Sequence, residues 1–235
     1  EGNSIFNCAG VLRNNSIITE YKKQELPNYE VFDEKRYFHP GNSGGIFEVN
    51  GLRIALSVCE DMWHEKVINQ AHESKANLIL NLNASPFHLE KINERKKLIS
   101  NQASKYSLPI VYANQVGGQD ELVFDGTSMV MSELGTQVMQ LAKFETDQKI
   151  AEFICEDGSN LKAINHEDIP EEDYLADVYQ ALVLGAKDYI LKNNFPGALI
   201  GSSGGIDSAL TAAIAADALG AEKVRTFMMP FKFTS

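Results

Sequence analysis

Cysteine is scarce in this chain. Cys8, Cys59 and Cys155 are an odd set with no CxxC pair and no Cys/His spacing suited to zinc. A disulfide-stapled scaffold and a zinc ribbon are therefore not expected, and a reducing cytoplasm is the expected setting. No apolar run approaches the roughly 20 residues that a membrane helix requires. The opening residues EGNSIFNCAG lack the basic start and apolar core of a signal peptide, so neither membrane spanning nor secretion is expected. Positive charge is short as well: 21 Lys and Arg face 32 Asp and Glu, for a net charge of −11. With no basic stripe to meet a phosphate backbone, nucleic acid is not an expected partner. His39, His64, His72, His88 and His166 show no ligand spacing, and no metal is expected in residues 1–144.

What is present is a balanced globular composition, 44% hydrophobic and 23% charged over 235 residues, with no bias towards disorder or a coiled coil. At about 150 residues per domain, this length corresponds to about one and a half domains. The acidity is local, because eleven acidic residues between Glu145 and Asp177 face only Lys149 and Lys162. Three stretches separate by pattern. Residues 1–144 alternate β-rich runs with amphipathic segments, as an α/β layered domain does. Residues 145–172 lose periodicity and gather acidic residues, Gly158, Ser159, Asn160 and Pro170, as an exposed connector does. Residues 173–235 open with a helix carrying Leu175, Val178, Leu182, Ala186 and Ile190 at helical spacing. A strand, a helix and a second strand follow, a βαβ unit over 198–229. A parallel sheet needs more strands than these two, so the second domain is expected to be cut short at Ser235.

In LRIALSV, Leu52, Ile54, Leu56 and Val58 alternate with Arg53, Ala55 and Ser57, the pattern of a half-buried strand. EDMWHEKVINQAHESKA suits a helix and NLILNLNAS the next strand, so Cys59 falls where a strand turns towards a helix. Backbone N–H groups of such a turn can hold an oxyanion, and a helix start with nearby cations favours thiolate over thiol. A lone cysteine there also suits a small inert core residue, and local context alone leaves both readings open. Trp63 is expected in the core.

Several strings carry more. KQELPNY, VFDEKRYF, VCEDMW, NASPFH and YANQVGGQDELVFDGTS resemble the carbon–nitrogen hydrolase (nitrilase) superfamily, and with GSSGGIDSAL they are similar, in order and spacing, to its glutamine-dependent NAD synthetase branch. The resemblance implies a Glu–Lys–Cys triad that cleaves a carboxamide, with Cys59 as nucleophile and Lys23 stabilising the oxyanion. An ammonium beside a thiol would also lower its pKa. The family's base glutamate lies on a strand upstream of this lysine, beyond the start of the chain, and Glu1 is no substitute. By the same resemblance Tyr29, Ser85 and Lys91 hold the substrate glutamine. Judged alone, they read as a loop aromatic, the start of a turn and a solvated charge on a helix whose apolar face is Leu89, Ile92, Ile99 and Ala103. Glu34 is left outside the catalytic set.

Between its strand and helix the second domain carries Gly201, Ser202, Ser203, Gly204, Gly205, Ile206, Asp207 and Ser208. Glycines let backbone approach a phosphate, and N–H groups at a helix start face the anion. The string lacks the lysine of a Walker loop and the GxGxxG spacing. It resembles the PP-loop of ATP pyrophosphatases, which implies ATP binding by these eight residues with Asp207 a Mg2+ ligand. MMPFKFTS resembles the strand and loop that continue such a pocket, although Phe231 and Lys232 depart from its usual pair.

The implied fold is an αββα sandwich, N-terminally incomplete, followed by the start of a doubly wound parallel sheet. The implied activity takes ammonia from glutamine into the ATP-dependent amidation of deamido-NAD, in a cytoplasmic homo-oligomer. Two other readings stay open at this point: a stand-alone nitrilase-type amidase with a PP-loop remnant, and an inactive oligomerising scaffold.

Overall fold

The computed structural model describes residues 4–155, 161–164, 166–228 and 230. The chain starts with a hairpin, β1 (Cys8–Arg13) and β2 (Ser16–Lys22), closed by Asn14 and Asn15 at φ 51° and 58°. Two left-handed residues match the right-handed twist of the flanking strands. The same chemistry recurs at Asn50–Gly51, which joins β3 (Gly45–Val49) to β4 (Leu52–Val58). Then follow α1 (Glu65–Glu73), β5 (Leu78–Asn83), α2 (Lys91–Tyr106) and β6 (Ile110–Asn114). The hairpin β7 (Val116–Gln119) and β8 (Leu122–Asp125) leads to β9 (Met129–Met131) and β10 (Gln137–Gln140).

Six of these strands form one sheet in the order β10-β9-β6-β5-β4-β3, in which β4, β5 and β6 run parallel. On one face Ala55, Ile79, Ile110, Met129 and Met131 pack with Ile68 and Ala71 of α1 and Ile99 and Ala103 of α2. On the other, Leu56 packs with Ala9 and Tyr21 of the first hairpin. The expectation of a half-buried β4 is therefore corrected: Ala55, Leu56 and Ser57 are consecutive buried residues, because helices cover one face of this inner strand and a hairpin the other. Leu89 also departs from expectation, lying ahead of α2 and exposed, whereas Ile92, Ile99 and Ala103 are buried.

Within the acidic stretch, β11 (Phe153–Cys155) pairs with β12 (Leu161–Ala163), and Phe153 and Ala163 pack on Val130, Val138 and Met139. Gly158, Ser159 and Asn160 lie outside the described residues, as do Glu1, Phe231 and Lys232.

The second part holds α3 (Tyr174–Lys192), β13 (Ala198–Ser202), α4 (Ile206–Leu219) and β14 (Val224–Met228). Strands β13 and β14 pair in parallel, the expected βαβ unit. In α3 the apolar spacing misjudges the buried face, since Leu175 is 85% exposed while Asp177 and Ala181 are buried. Polar contacts dock this helix on the first part. The Gly118 N–H donates to Asp188 Oδ2 at 2.8 Å, and Lys192 Nζ donates to the Gly118 carbonyl at 2.6 Å. Lys143 bonds Asp177 Oδ2 at 2.8 Å and also Glu172, which Lys96 of α2 bonds too. Among the described residues no helix is long and apolar enough to cross a membrane.

Candidate active site

Strands β4, β5 and β6 end side by side, and the side chains of interest sit just beyond their carboxyl ends, where open α/β sheets bind ligands. Cys59 follows Val58 directly. It adopts φ 47°, a left-handed value uncommon for a non-glycine residue. Residues Cys59–Trp63 form a tight 3-10 turn and α1 begins only at Glu65, so the thiol does not sit at an α-helix start. Burial pushes the Cys59 thiol up, and this outweighs the downward pull of Lys23 and of the Ala84 backbone N–H. The expected thiolate preference is thereby corrected: the cation acts in the expected direction, but desolvation is the larger effect. A resting thiol needs a base when it attacks.

Lys23 follows β2 and is 1% exposed. Its N–H donates to the Asn7 carbonyl and its carbonyl accepts from the Gly41 N–H, each at 2.8 Å. A Cβ on Gly41 would lie 2.1 Å from the Lys22 carbonyl oxygen, so only glycine fits that approach. The ammonium meets Glu34 Oε1 at 2.6 Å, while Asn7 Nδ2 reaches Glu34 Oε2 at 3.4 Å. Glu34, set aside in the sequence reading, is thus the ion partner of the candidate catalytic lysine.

A pocket of about 200 Å³ is lined by Cys59, Tyr29, Ser85 and Lys91, with Glu60, Trp63 and Phe87 among its other walls. The structure therefore brings the candidate nucleophile and the three residues that the resemblance gives to glutamine into one pocket, while Lys23 is buried and is not among its walls. Tyr29 Oη donates to Glu60 Oε2 at 2.8 Å, and burial followed by Glu60 raises its pKa. The Ser85 N–H donates to Asn114 Oδ1 at 2.9 Å, and Asn114 Nδ2 returns a bond to the Ser85 carbonyl at 3.3 Å. Lys91 Nζ lies 3.2 Å from Glu94 and 4.5 Å over the Trp63 ring. Trp63, expected in the core, is 37% exposed at this pocket instead. Tyr112 behind the pocket is pushed up to about 12 by burial, against the pull of Arg95. The fully buried Arg95 is held by Asp125 at 2.7 and 2.6 Å, and Thr127 Oγ1 donates to the same carboxylate at 2.6 Å. A groove of about 740 Å³ opens beside the pocket and shares Tyr29 and Glu60 with it.

Sequence reasoning weighed Glu34 and left it out, assigned Trp63 to the core, and missed Glu60. Glu60 and Trp63 lie one and four residues after Cys59, and adjacency to the nucleophile was the available signal. Glu34 lies eleven residues beyond Lys23, and its pairing with the lysine is a tertiary contact that no spacing rule gives.

In the second part, Gly201 and Ser202 end β13, Ser203, Gly204 and Gly205 make the loop, and Ile206, Asp207 and Ser208 open α4. Ser203 and Ser208 shape the loop: the Ser203 N–H donates to Ser208 Oγ at 3.3 Å, and Ser208 Oγ donates to the Gly205 carbonyl at 3.0 Å. Gly204 has φ 82°, with nothing within 4 Å of the place a Cβ would take. The first-turn N–H groups of α4 have no intrahelical acceptor, so this open cradle fits a phosphate chain. Asp207 is exposed beside it. Among the described residues no cluster of three metal-binding side chains exists. One carboxylate sharing a cation with phosphate oxygens is the mode that Mg2+ favours.

The chain belongs to the carbon–nitrogen hydrolase family, whose model matches residues 1–160. A second family model, NAD synthase, matches residues 178–235. Curated relatives are named glutamine-dependent NAD(+) synthetases. The glutamine-dependent NAD(+) synthetase of Acinetobacter baylyi is 40% identical over 230 residues, covering 98% of this chain and 42% of the relative. That of Thermotoga maritima is 34% identical, covering 98% and 45%. Among solved structures, the glutamine-dependent NAD+ synthetase of Acinetobacter baumannii, in complex with adenosine diphosphate, superposes with a TM-score of 0.91 at 43% identity. That match covers 98% of this chain and 43% of that one. The fold is shared with a carbon–nitrogen hydrolase of Helicobacter pylori, with a TM-score of 0.56 at 24% identity over 60% of this chain and 54% of that one. The fold is accordingly nitrilase-like, followed by the start of an NAD synthase domain. The chain spans less than half the length of the curated relatives named here.

Proposed function

We propose that the native protein makes NAD from deamido-NAD with glutamine as the amide donor. The observation that carries this reading is the convergence of Tyr29, Cys59, Ser85 and Lys91 on one pocket, with Lys23 buried against Glu34, in a chain that continues into a glycine loop. Cys59 Sγ attacks the glutamine side-chain carbonyl carbon as its proton passes to a carboxylate base. The Lys23 ammonium opposes the charge that develops on the carbonyl oxygen. Collapse expels ammonia with the returned proton and leaves a thioester, which water hydrolyses to glutamate and free thiol. Tyr29, Ser85 and Lys91 orient the amino-acid end of the substrate.

Residues 201–208 hold ATP by its phosphates. Asp207 would hold a Mg2+ ion, which would neutralise phosphate charge. The deamido-NAD carboxylate takes the adenylyl group as pyrophosphate leaves, and ammonia displaces AMP. Three free cysteines suit a reducing cytoplasm, and we extend the reading to a homo-oligomer, which light scattering measures. Residues 1–144 and 173–235 serve as hydrolase part and synthetase part, and 145–172 joins them, with its β11–β12 hairpin packed on the hydrolase sheet.

The test is Cys59→Ala in the native protein. Glutamine-dependent NAD formation is expected to vanish while synthesis from free ammonia continues. Loss of both activities in a folded variant would overturn the division of labour.

A further inference from the structure

Asp61 lies two residues after Cys59, is 0% exposed, and has no cation within ion-pair distance among the described residues. A buried carboxylate in that position is costly unless donors surround it. Four do. Its Oδ2 accepts from Tyr21 Oη at 2.7 Å and from the Val58 N–H at 2.9 Å, and its Oδ1 accepts from the Gln24 N–H at 3.1 Å and the Glu25 N–H at 2.9 Å. These donors bracket both members of the candidate catalytic pair. Tyr21, Gln24 and Glu25 surround Lys23 in the chain, and Val58 immediately precedes Cys59.

Burial outweighs the four donors and holds the Asp61 carboxyl above its ordinary value. An apolar residue in its place would leave those four donors buried without a partner, each a cost to folding. What an apolar residue cannot do is draw four donors from two segments onto one group.

We propose that Asp61 is a positioning residue that sets the Lys23 ammonium against the Cys59 thiol by fixing the segment that carries each. The inference rests on the hydrolase reading of Lys23 and Cys59. Asp61 itself touches neither substrate nor reacting atoms. It also holds the tight 59–63 turn in which Cys59 keeps its left-handed backbone.

The experiment measures the rate of Cys59 alkylation by iodoacetamide against pH in the native protein, by peptide mapping, with the exposed Cys8 as internal control. The charged and titratable groups acting on the thiol are Lys23, Glu34, Glu60, Tyr29 and Tyr112. In Asp61→Asn the amide has one acceptor oxygen and turns N–H groups towards two of the four donors. Lys23 then shifts from its place, and the alkylation midpoint rises by about one pH unit, a loss of about tenfold in rate near neutrality. Removing a negative charge by itself would act the other way and lower the midpoint, so a fall or no change overturns the proposal. On a Lys23→Met background Asp61→Asn is expected to add no further rise, because the rise works through Lys23 and the two act as one unit. An additive rise there also overturns it. If Asp61→Asn does not fold, Tyr21→Phe removes one donor and is expected to give a smaller shift of the same sign, with an unshifted midpoint counting against the proposal. If Lys23→Met alone leaves the midpoint unmoved, it is the hydrolase reading that fails.

Discussion

Around Cys59 the site is assembled from separate stretches, with Lys23 and Tyr29 after β2, Cys59 after β4, and Ser85 and Lys91 after β5. The glycine loop is one unbroken run, Gly201 to Ser208, whose side-chain hydrogen bonds are made within itself. The first site rests on a buried lysine and a buried carboxylate, Lys23 and Asp61, although Tyr29 and Trp63 among its walls are exposed. The second is exposed and owes its shape to local backbone angles and to the Ser203 and Ser208 side chains within the run. A discontinuous site depends on the whole fold being intact, whereas a contiguous loop depends on a strand, a helix and the dihedral angles between them.

The strongest way to break that comparison is Asp125→Ala. It leaves the Arg95 guanidinium, two of whose nitrogens already lack partners, as an uncompensated buried charge, at a cost of about 3–5 kcal/mol. We expect a large fall in the urea midpoint with loss of Cys59 pocket integrity, and a midpoint within error of wild type would mean that the pair is not structural. A smaller effect sharpens the comparison from the other side. Gly204→Val, at φ 82° with open space around it, forces a branched side chain into the left-handed region at about 1–2 kcal/mol. ATP binding is expected to weaken about tenfold while Cys59 alkylation is unchanged. Equal ATP affinity would remove the loop backbone from the site.

The smallest effect concerns the contacts between the two parts. Burial raises the Glu172 carboxyl, but Lys143 and Lys96 outweigh it and leave it below its ordinary 4.5. Burial lowers the Lys143 ammonium, but Asp177 and Glu172 leave it above its ordinary 10.5. The Glu172 contribution is complete above 4.5 and disappears as pH falls through its lower folded value, while that of Lys143 is complete below 10.5 and disappears as pH rises through its higher one. The gap in urea midpoint between wild type and Glu172→Gln should therefore be present at neutral pH and close on acidification. A gap that persists at acid pH would assign the effect to packing.

Local features were legible where local physics decides them. The presence of a strand at Leu52–Val58 though not its burial, the buried stripe Ile92, Ile99 and Ala103, and the βαβ unit with its glycine loop follow from periodicity and turn chemistry. Tertiary contacts decided the rest. The turn at 59–63 replaces a helix start because Asp61 reaches Tyr21, Gln24 and Glu25, some forty residues earlier in the chain. Leu175 stays exposed because α3 docks through Asp177 and Asp188, polar residues that a hydrophobic pattern counts as outward-facing. The grouping of Lys23, Tyr29, Ser85 and Lys91 with Cys59 rested on resemblance, since each alone resembles an ordinary surface or turn residue.

One consequence follows from how α3 is held. Contacts to Asp177 near its start and to Asp188 and Lys192 near its end anchor it to the first part at two places about 16 Å apart along its axis, at 1.5 Å per residue. A beam clamped twice cannot swing about either support. Any hinge between the hydrolase pocket and the nucleotide loop is thereby displaced to the short span after Lys192, where Asn194 at φ 58°, Pro196 and Gly197 lead into β13.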